Sequence, residues 1–195
     1  MGVKAEKAEA TRARLIQVAG ELFGERGYDD VSIEEVLDRA GVSKGALYHH
    51  FPSKDALFEA VYRFGEQECM VEIAKSAMGV SDPLGSLRVG CHTWLDLVMD
   101  KHVRQVALID GPAVLGWARW REIDEEYAFG LVRKVLQAAK DAGAIKTPNV
   151  DMMAHLALAM LGEAAMLIAK ADDAERARRE AGDAVDRLID AIARG

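Results

Sequence analysis

Apolar residues recur at spacings of three and four along nearly the whole chain, and this period most limits what the chain can fold into. A helix buries one face at that period, whereas a half-buried strand alternates every second residue. No such alternation persists anywhere in the 195 residues, which include only four prolines. The sequence therefore predicts an all-α fold of about nine helices.

Two short helices near the N-terminus are joined across a glycine. Ser32 has the side chain of an N-cap for the first helix, and Ser43 has one for the second, which begins just after Gly41. Glycine permits the sharp reversal between the helices, and Pro52 prevents the second from continuing. This arrangement predicts a helix-turn-helix over residues 32–51.

The other periodic segments predict one longer helix before this motif and several after it. The helix that follows Pro52 reaches at least Met70, which makes it long enough to join two domains. The remaining helices are expected over about 8–26, 84–99, 103–109, 117–142, 150–169 and 173–193.

Charge is distributed unevenly along the chain. The formal net charge of −7 argues against a protein that coats nucleic acid indiscriminately, because phosphate binding needs local positive charge. The stretch from Arg39 to Lys54, however, contains lysine, arginine and histidine but no carboxylate. Such segregation lets an acidic protein present one basic face to a duplex, although a solvated charge cluster would have the same composition.

Helical geometry divides the second helix of the motif into two faces. Leu47 and Phe51 lie one turn apart and point inward, so Gly45, Ala46 and His49 lie on the opposite face. This small outward face lets the backbone approach bases and phosphates in a major groove about 12 Å wide. The flanking residues that can contact phosphates are Lys44, Tyr48 and Lys54.

The stretch SIEEVLDRAGVSKGALYHHFPSKDALFEAVY, particularly GVSKGALYHHF followed by SKDALF, resembles the DNA-binding signature of the TetR (tetracycline repressor) family. The resemblance covers residues 9–69 and implies an N-terminal DNA-binding domain there. It further implies that residues 70–195 form a helical ligand-binding and dimerisation domain. One departure is Leu37, where the family usually has a small residue, so the packing of the first motif helix on the second is expected to differ slightly.

The resemblance also implies a function and roles for individual residues. The implied function is a ligand-released repressor that binds a near-palindromic operator as a dimer, without a cofactor or an enzymatic activity. Lys54 is the implied phosphate-binding lysine at the start of the next helix, and Ser32 the implied backbone contact from the helix before. The implied contacts of the recognition helix are Ser43, Lys44, Gly45, Ala46, Tyr48 and His49.

Two features of the second domain bear on its partners. Aromatic and methionine side chains there could line a pocket for a small, largely apolar effector, or belong to the core. Small residues on the last two helices permit close approach, so these helices could cap the monomer or form a four-helix interface with a twofold copy. The TetR resemblance favours the homodimer. The candidate pocket residues are Trp94, Met99, Trp117, Trp120, Tyr127 and Met166.

Three other interpretations are weaker. His92 and Asp96 have a metal-ligand spacing of i and i+4, but one pair rarely makes a site, so no metal is expected. A hydrolase using Cys91 with this pair is disfavoured, because neighbouring residues on a helix point apart. A helical adaptor protein remains as the alternative, and it would be monomeric in solution.

The chain is expected to act in the cytoplasm. Cys69 and Cys91 are far apart and lack a disulfide or zinc spacing, and the first residues have no apolar core of a secretory signal. The apolar stretch 152–169 is interrupted by polar residues and is barely long enough to cross a bilayer. It is predicted to be a buried helix.

Overall fold

The computed structural model describes residues 2–194, and in that range it is helical without any strand. The all-α prediction is confirmed. When residues 101–115 are counted as one helical stretch, the described part of the chain has nine helices. In chain order the elements are α1 (Val3–Arg26), α2 (Ile33–Ala40), α3 (Lys44–His50), α4 (Lys54–Ser76), α5 (Pro83–Leu97), α6 (Lys101–Val103), a π-helical segment (Arg104–Asp110), α7 (Gly111–Leu115), α8 (Trp117–Asp141), α9 (Val150–Lys170) and α10 (Ala174–Arg194).

Local capping sets the boundaries of the helix-turn-helix. The hydroxyls of Ser32 and Ser43 each accept a hydrogen bond from the backbone N–H three residues on, at 3.2 and 3.3 Å. Ser53 starts α4 in the same way, at 3.0 Å. Gly41 ends α2 in the left-handed conformation, with φ +66°, which favours glycine. The predicted caps are therefore the ones that the fold uses.

The chain forms two compact units. The N-terminal unit consists of the chain up to Gly65 together with Lys101–Trp120, and the C-terminal unit consists of Glu66–Asp100 together with the chain from Arg121 onward. This division differs from the boundary expected after residue 69, because Lys101–Trp120 packs with the N-terminal unit. The chain passes between the units three times, twice within a long helix.

An apolar core holds the helices of the N-terminal unit together. Phe23 of α1, Leu47 of α3 and Phe58 of α4 are completely buried, and the rings of Phe23 and Phe58 lie 5.6 Å apart. Leu37, expected to alter the packing of α2, is buried beside Val36 on the inner face of that helix. The larger side chain is thus accommodated in the core.

Residues 101–120 are tied to the N-terminal unit at close range. A Cβ atom at Gly24 of α1 would lie 2.7 Å from Cβ of His102, so glycine allows the two backbones to approach. The indole N–H of Trp120 donates to the carbonyl of Ala107 at 2.9 Å. A Cβ at Gly111 would lie 2.9 Å from the same ring. The π-helical segment is therefore fixed between α1 and the start of α8.

Charged side chains link α5 to α10 in the C-terminal unit. His92 Nε2 lies 2.9 Å from Oδ1 of Asp186, and His92 Nδ1 lies 3.2 Å from Nη2 of Arg178. Because a guanidinium only donates, Nδ1 accepts and Nε2 carries the proton. Arg178 also bonds Asp96 at 2.7 Å. Among the residues that the structure describes, no three histidine, cysteine or acidic side chains form a group that could hold a metal ion.

Helix α9 is apolar on both sides but buried on only one. It is long and apolar enough to cross a membrane by length and composition alone, and 28% of its most apolar window is buried. Residues such as Leu158 and Ala165 face inward in a unit where α9 contacts α5 and α10. The prediction of a buried helix is wrong for the opposite face, where Met152, Leu156 and Leu167 are 57–60% exposed.

Candidate DNA-binding surface

Helix α3 presents most of the predicted outward face to solvent, although Ala46 is half-buried. Leu47 is fully buried, and Phe51, the C-cap residue of α3, is nearly so. Gly45 and His49 are exposed, and Tyr48 is 44% exposed despite its large apolar ring. The core thus fixes α3 on one side and leaves a polar, small-residue face on the other, a combination suited to insertion into a major groove.

Gly45 has no structural reason to be glycine. It is the second residue of α3, its φ is not positive, and a Cβ atom built there would have no atom within 4 Å. Glycine in an exposed helix interior costs about 1 kcal/mol relative to alanine. The fold therefore does not require a glycine here, whereas close approach of a bulky partner to the helix would.

We expect Gly45→Ala to stabilise the protein and weaken DNA binding together. The free energy of unfolding should rise by about 0.5–1 kcal/mol, because alanine has the higher helix propensity and meets no clash. The added methyl group should hinder approach to the groove. Thermal unfolding and titration with DNA measure the two effects, and Gly130→Ala, also in a helix with nothing within 4 Å of its Cβ, is the stability control. A stabilised variant with unchanged DNA affinity would remove Gly45 from the contact surface.

Lys44 is held loosely at the start of α3. Its ammonium lies 3.0 Å from Oε1 of Glu34, and both side chains are more than 60% exposed. The hydrogen bond from Lys44 lowers the pKa of Glu34 below its ordinary value. Exposed pairs of this kind contribute little to stability, so a phosphate can replace Glu34 as the partner. Lys44 therefore remains available as a phosphate contact.

Lys54 is oriented by contacts that the sequence does not reveal. Its ammonium donates to the carbonyl of Tyr28 at 2.6 Å and lies 3.9 Å from the centre of the Tyr28 ring. The two residues are far apart in sequence, and only the packing of α1 against α4 brings them together. An ammonium has three donors, so this contact leaves others for a phosphate.

A further cation near α3 comes from α1. The guanidinium carbon of Arg12 lies 5.5 Å from the centre of the Phe51 ring, at the end of α3. Its side chain is 42% exposed and its ion pair with Glu9 is long, at 4.0 Å. Sequence reasoning missed Arg12 because no motif or helical spacing relates it to Phe51. Arg12 therefore adds a partly exposed cation beside the C-terminal end of α3.

The candidate effector residues are divided between the two units. Trp117 and Trp120 belong to the N-terminal unit, with ring centres 4.9 Å apart, and Trp117 is 61% exposed. Trp94 is buried in the C-terminal unit, which also contains Met99, Tyr127 and Met166. An open groove of about 550 Å³ in that unit is lined by none of these six residues, and its lining is Glu72, Lys75, Ser76, Thr93, Asp96, Leu97 and Asp100. The pocket assignment stays a prediction.

Comparisons with known proteins agree with this geometry. The family profile described as "Bacterial regulatory proteins, tetR family" matches residues 15–61, and "Tetracyclin repressor-like, C-terminal domain" matches residues 84–192. The transposon Tn10 TetC protein of Escherichia coli is 28% identical over 152 residues, covering 77% of this chain and 76% of that protein. The transcriptional regulator AcrR of Shigella flexneri is 34% identical over 84 residues, covering 43% of this chain and 39% of that protein.

A solved structure extends the similarity to the whole fold. A TetR-family transcriptional regulator from Pectobacterium atrosepticum superposes with a TM-score of 0.87 at 26% identity, covering 96% of both chains. The exposed helix-turn-helix together with these matches makes this chain a DNA-binding transcriptional regulator. The chain belongs to the TetR family of transcriptional regulators.

Proposed function

We propose that this regulator is a ligand-released repressor, which binds a near-palindromic operator as a homodimer and places one α3 helix in each of two major grooves. TetR-family regulators bind operators and small-molecule effectors and act as dimers. The observation that supports the proposal best is the exposed face of α3, where Gly45, Tyr48 and His49 protrude from an acid-free stretch. Such a protein acts in the cytoplasm, where it meets chromosomal DNA.

Selection from random DNA tests the proposed operator. The full-length protein is mixed with duplexes containing about 30 random base pairs, enough for two half-sites separated by one helical turn or more. The enriched sequences should contain an inverted repeat. Enrichment of a single unrepeated site, or of no sequence at all, would contradict binding as a symmetric dimer.

Lys54→Ala should weaken binding to the selected duplex and reduce its dependence on salt. Removing one bound phosphate from each subunit should lower the slope of log K against log[salt] by about 1, and therefore by about 2 for a dimer. Fluorescence anisotropy at four salt concentrations measures the slope. Lys140→Ala, which removes a lysine from the C-terminal unit, is the matched control and should keep the wild-type slope. An unchanged slope in Lys54→Ala would exclude the phosphate contact.

The exposed face of α9 supports a homodimer through the last two helices. Leu156 and Leu167 of α9 are about 60% exposed, and Leu188 of α10, which packs beside α9, is 48% exposed. Large apolar side chains that are exposed on two neighbouring helices suit a surface that a second subunit covers. A twofold copy would cover both helices and form a four-helix interface. Light scattering should give twice the mass of one chain. A monomeric mass would instead favour the alternative function, a helical adaptor protein.

Release from DNA requires an effector that distinguishes two states of the protein. A small, largely apolar molecule that binds the free form more tightly than the DNA-bound form lowers DNA affinity by the ratio of its two affinities. A compound that raises the melting temperature of the free protein more than that of the DNA-bound protein should therefore displace the selected duplex. Stabilisation of free and DNA-bound protein to the same degree would show that the compound is not the effector.

A further inference from the structure

Tyr28, in the turn after α1, contacts three separate parts of the N-terminal unit. Its backbone N–H donates to Oδ2 of Asp110 at 2.8 Å, and its hydroxyl donates to Asp55 in the first turn of α4. Its ring packs against Phe23 and Phe58, with ring centres 5.6 and 5.3 Å away. The backbone, hydroxyl and ring of Tyr28 are therefore all held in place.

The fixed Tyr28 in turn holds Lys54. The Tyr28 carbonyl accepts from the Lys54 ammonium at 2.6 Å, and the face of the ring lies beneath the same group. A lysine side chain otherwise loses considerable rotamer freedom when it binds a phosphate. Held in advance, Lys54 does not incur that loss on binding DNA.

Asp110, which is far from Tyr28 in the sequence, completes this network of contacts. Its Oδ1 accepts from Nε2 of Gln105 at 3.0 Å, while its Oδ2 accepts from Tyr28. Gly27 makes room for these groups, because a Cβ atom there would lie 3.1 Å from the Gln105 amide nitrogen. Asp110 thus fixes the peptide that carries the Tyr28 N–H, next to the carbonyl used by Lys54.

We propose that Asp110 and Tyr28 are positioning residues for DNA binding, which orient Lys54 towards the phosphate backbone. The inference rests on the proposed function, since it assumes that Lys54 contacts a phosphate. It gives the segment Lys101–Trp120, which lies outside the helix-turn-helix, an influence on DNA affinity that acts through Tyr28 and Lys54.

The direction in which Asp110→Ala changes DNA affinity distinguishes a positioning role from a simple effect of charge. Asp110→Ala removes a negative charge from the DNA-binding unit, and charge alone would strengthen binding to a polyanion. Loss of positioning should instead weaken binding of the selected duplex about three- to tenfold. Asp30→Ala is the matched control, because it removes an exposed carboxylate from the turn that contains Tyr28. This variant should bind as tightly as wild type or slightly more tightly.

Two further variants connect the effect to Lys54. Asp110→Asn should bind with wild-type affinity. The carbonyl of the new asparagine can still accept from the Tyr28 N–H, and its amide can donate to a flipped Gln105 side chain. In a Lys54→Ala background, Asp110→Ala should have no additional effect on affinity. Additive losses in the double variant would overturn the positioning role.

Circular dichroism first establishes that each variant is folded. If Asp110→Ala does not fold, Tyr28→Leu is the test variant, because it removes the ring beneath Lys54, whereas Tyr28→Phe keeps the ring; both variants keep the backbone carbonyl. Weaker binding by Tyr28→Leu alone supports the proposal, and equal binding by the two variants overturns it.

The Lys54→Ala variant distinguishes this proposal from the proposed function. If Lys54→Ala binds like wild type, the proposed contact between Lys54 and a phosphate is wrong. If Lys54→Ala is weakened but folded Asp110→Ala is not, only the positioning role fails.

Discussion

Tyr48→Ala and His49→Ala should each greatly weaken operator binding while leaving the dimer folded. Both side chains are exposed on α3, so their removal should change the free energy of unfolding by no more than about 0.5 kcal/mol. A good base or phosphate contact is worth about 1–3 kcal/mol, and a dimer loses it at both half-sites. The expected loss is about 2–6 kcal/mol, which is at least a thirtyfold rise in Kd.

A scrambled duplex of the same composition provides the internal control for these two variants. His49 is assigned to the outward face that meets base edges, so His49→Ala should bring the affinity for the selected duplex down to that for the scrambled one. The affinity for scrambled DNA should itself change little. Tyr48 is assigned to a phosphate, so Tyr48→Ala should weaken both affinities. An unchanged gel shift with the selected duplex would remove the side chain concerned from the readout face.

Leu156→Asp should convert the dimer into monomers and weaken operator binding at least about a hundredfold. In the proposed interface the twofold axis would bury two new carboxylates among apolar side chains, where an unpaired charge is very costly. A monomer then binds one half-site without the high effective concentration that its linked partner provides.

Met78→Asp is the matched control for the dimer prediction. Met78 is 78% exposed and lies outside α9 and α10, so the same charge there should leave the protein dimeric. Light scattering gives the mass of each variant, and anisotropy with the selected duplex gives its affinity. A dimeric Leu156→Asp protein would place the interface on another surface.

The features that the sequence predicted well are those determined by neighbouring residues. Ser32, Gly41 and Ser43 act within one turn of their own position, so capping and the left-handed glycine could be deduced from spacing alone. The same holds for the outward face of α3, because the helical period relates Leu47 to His49 directly. Local chemistry was therefore sufficient for the helix-turn-helix.

The features that the sequence missed depend on contacts between distant residues. The bond from Tyr28 to Asp110 spans 82 residues, and no period or motif relates the two. The exposed face of α9 was missed for a different reason. An apolar stretch has the same pattern whether its own chain or a second subunit covers it, so Leu156 could not be distinguished from a core leucine.

The assignment of Lys101–Trp120 to the N-terminal unit affects how such regulators can be recombined. A chimera that fuses only the first 65 residues to a foreign sensor would leave behind Asp110, which bonds Tyr28, and the Trp120 ring that anchors its segment. Lys54 would then keep its contacts with Tyr28, but Tyr28 would lose the Asp110 bond that fixes its backbone. Transplanting operator specificity with full affinity therefore requires two separate stretches of this chain, grafted together.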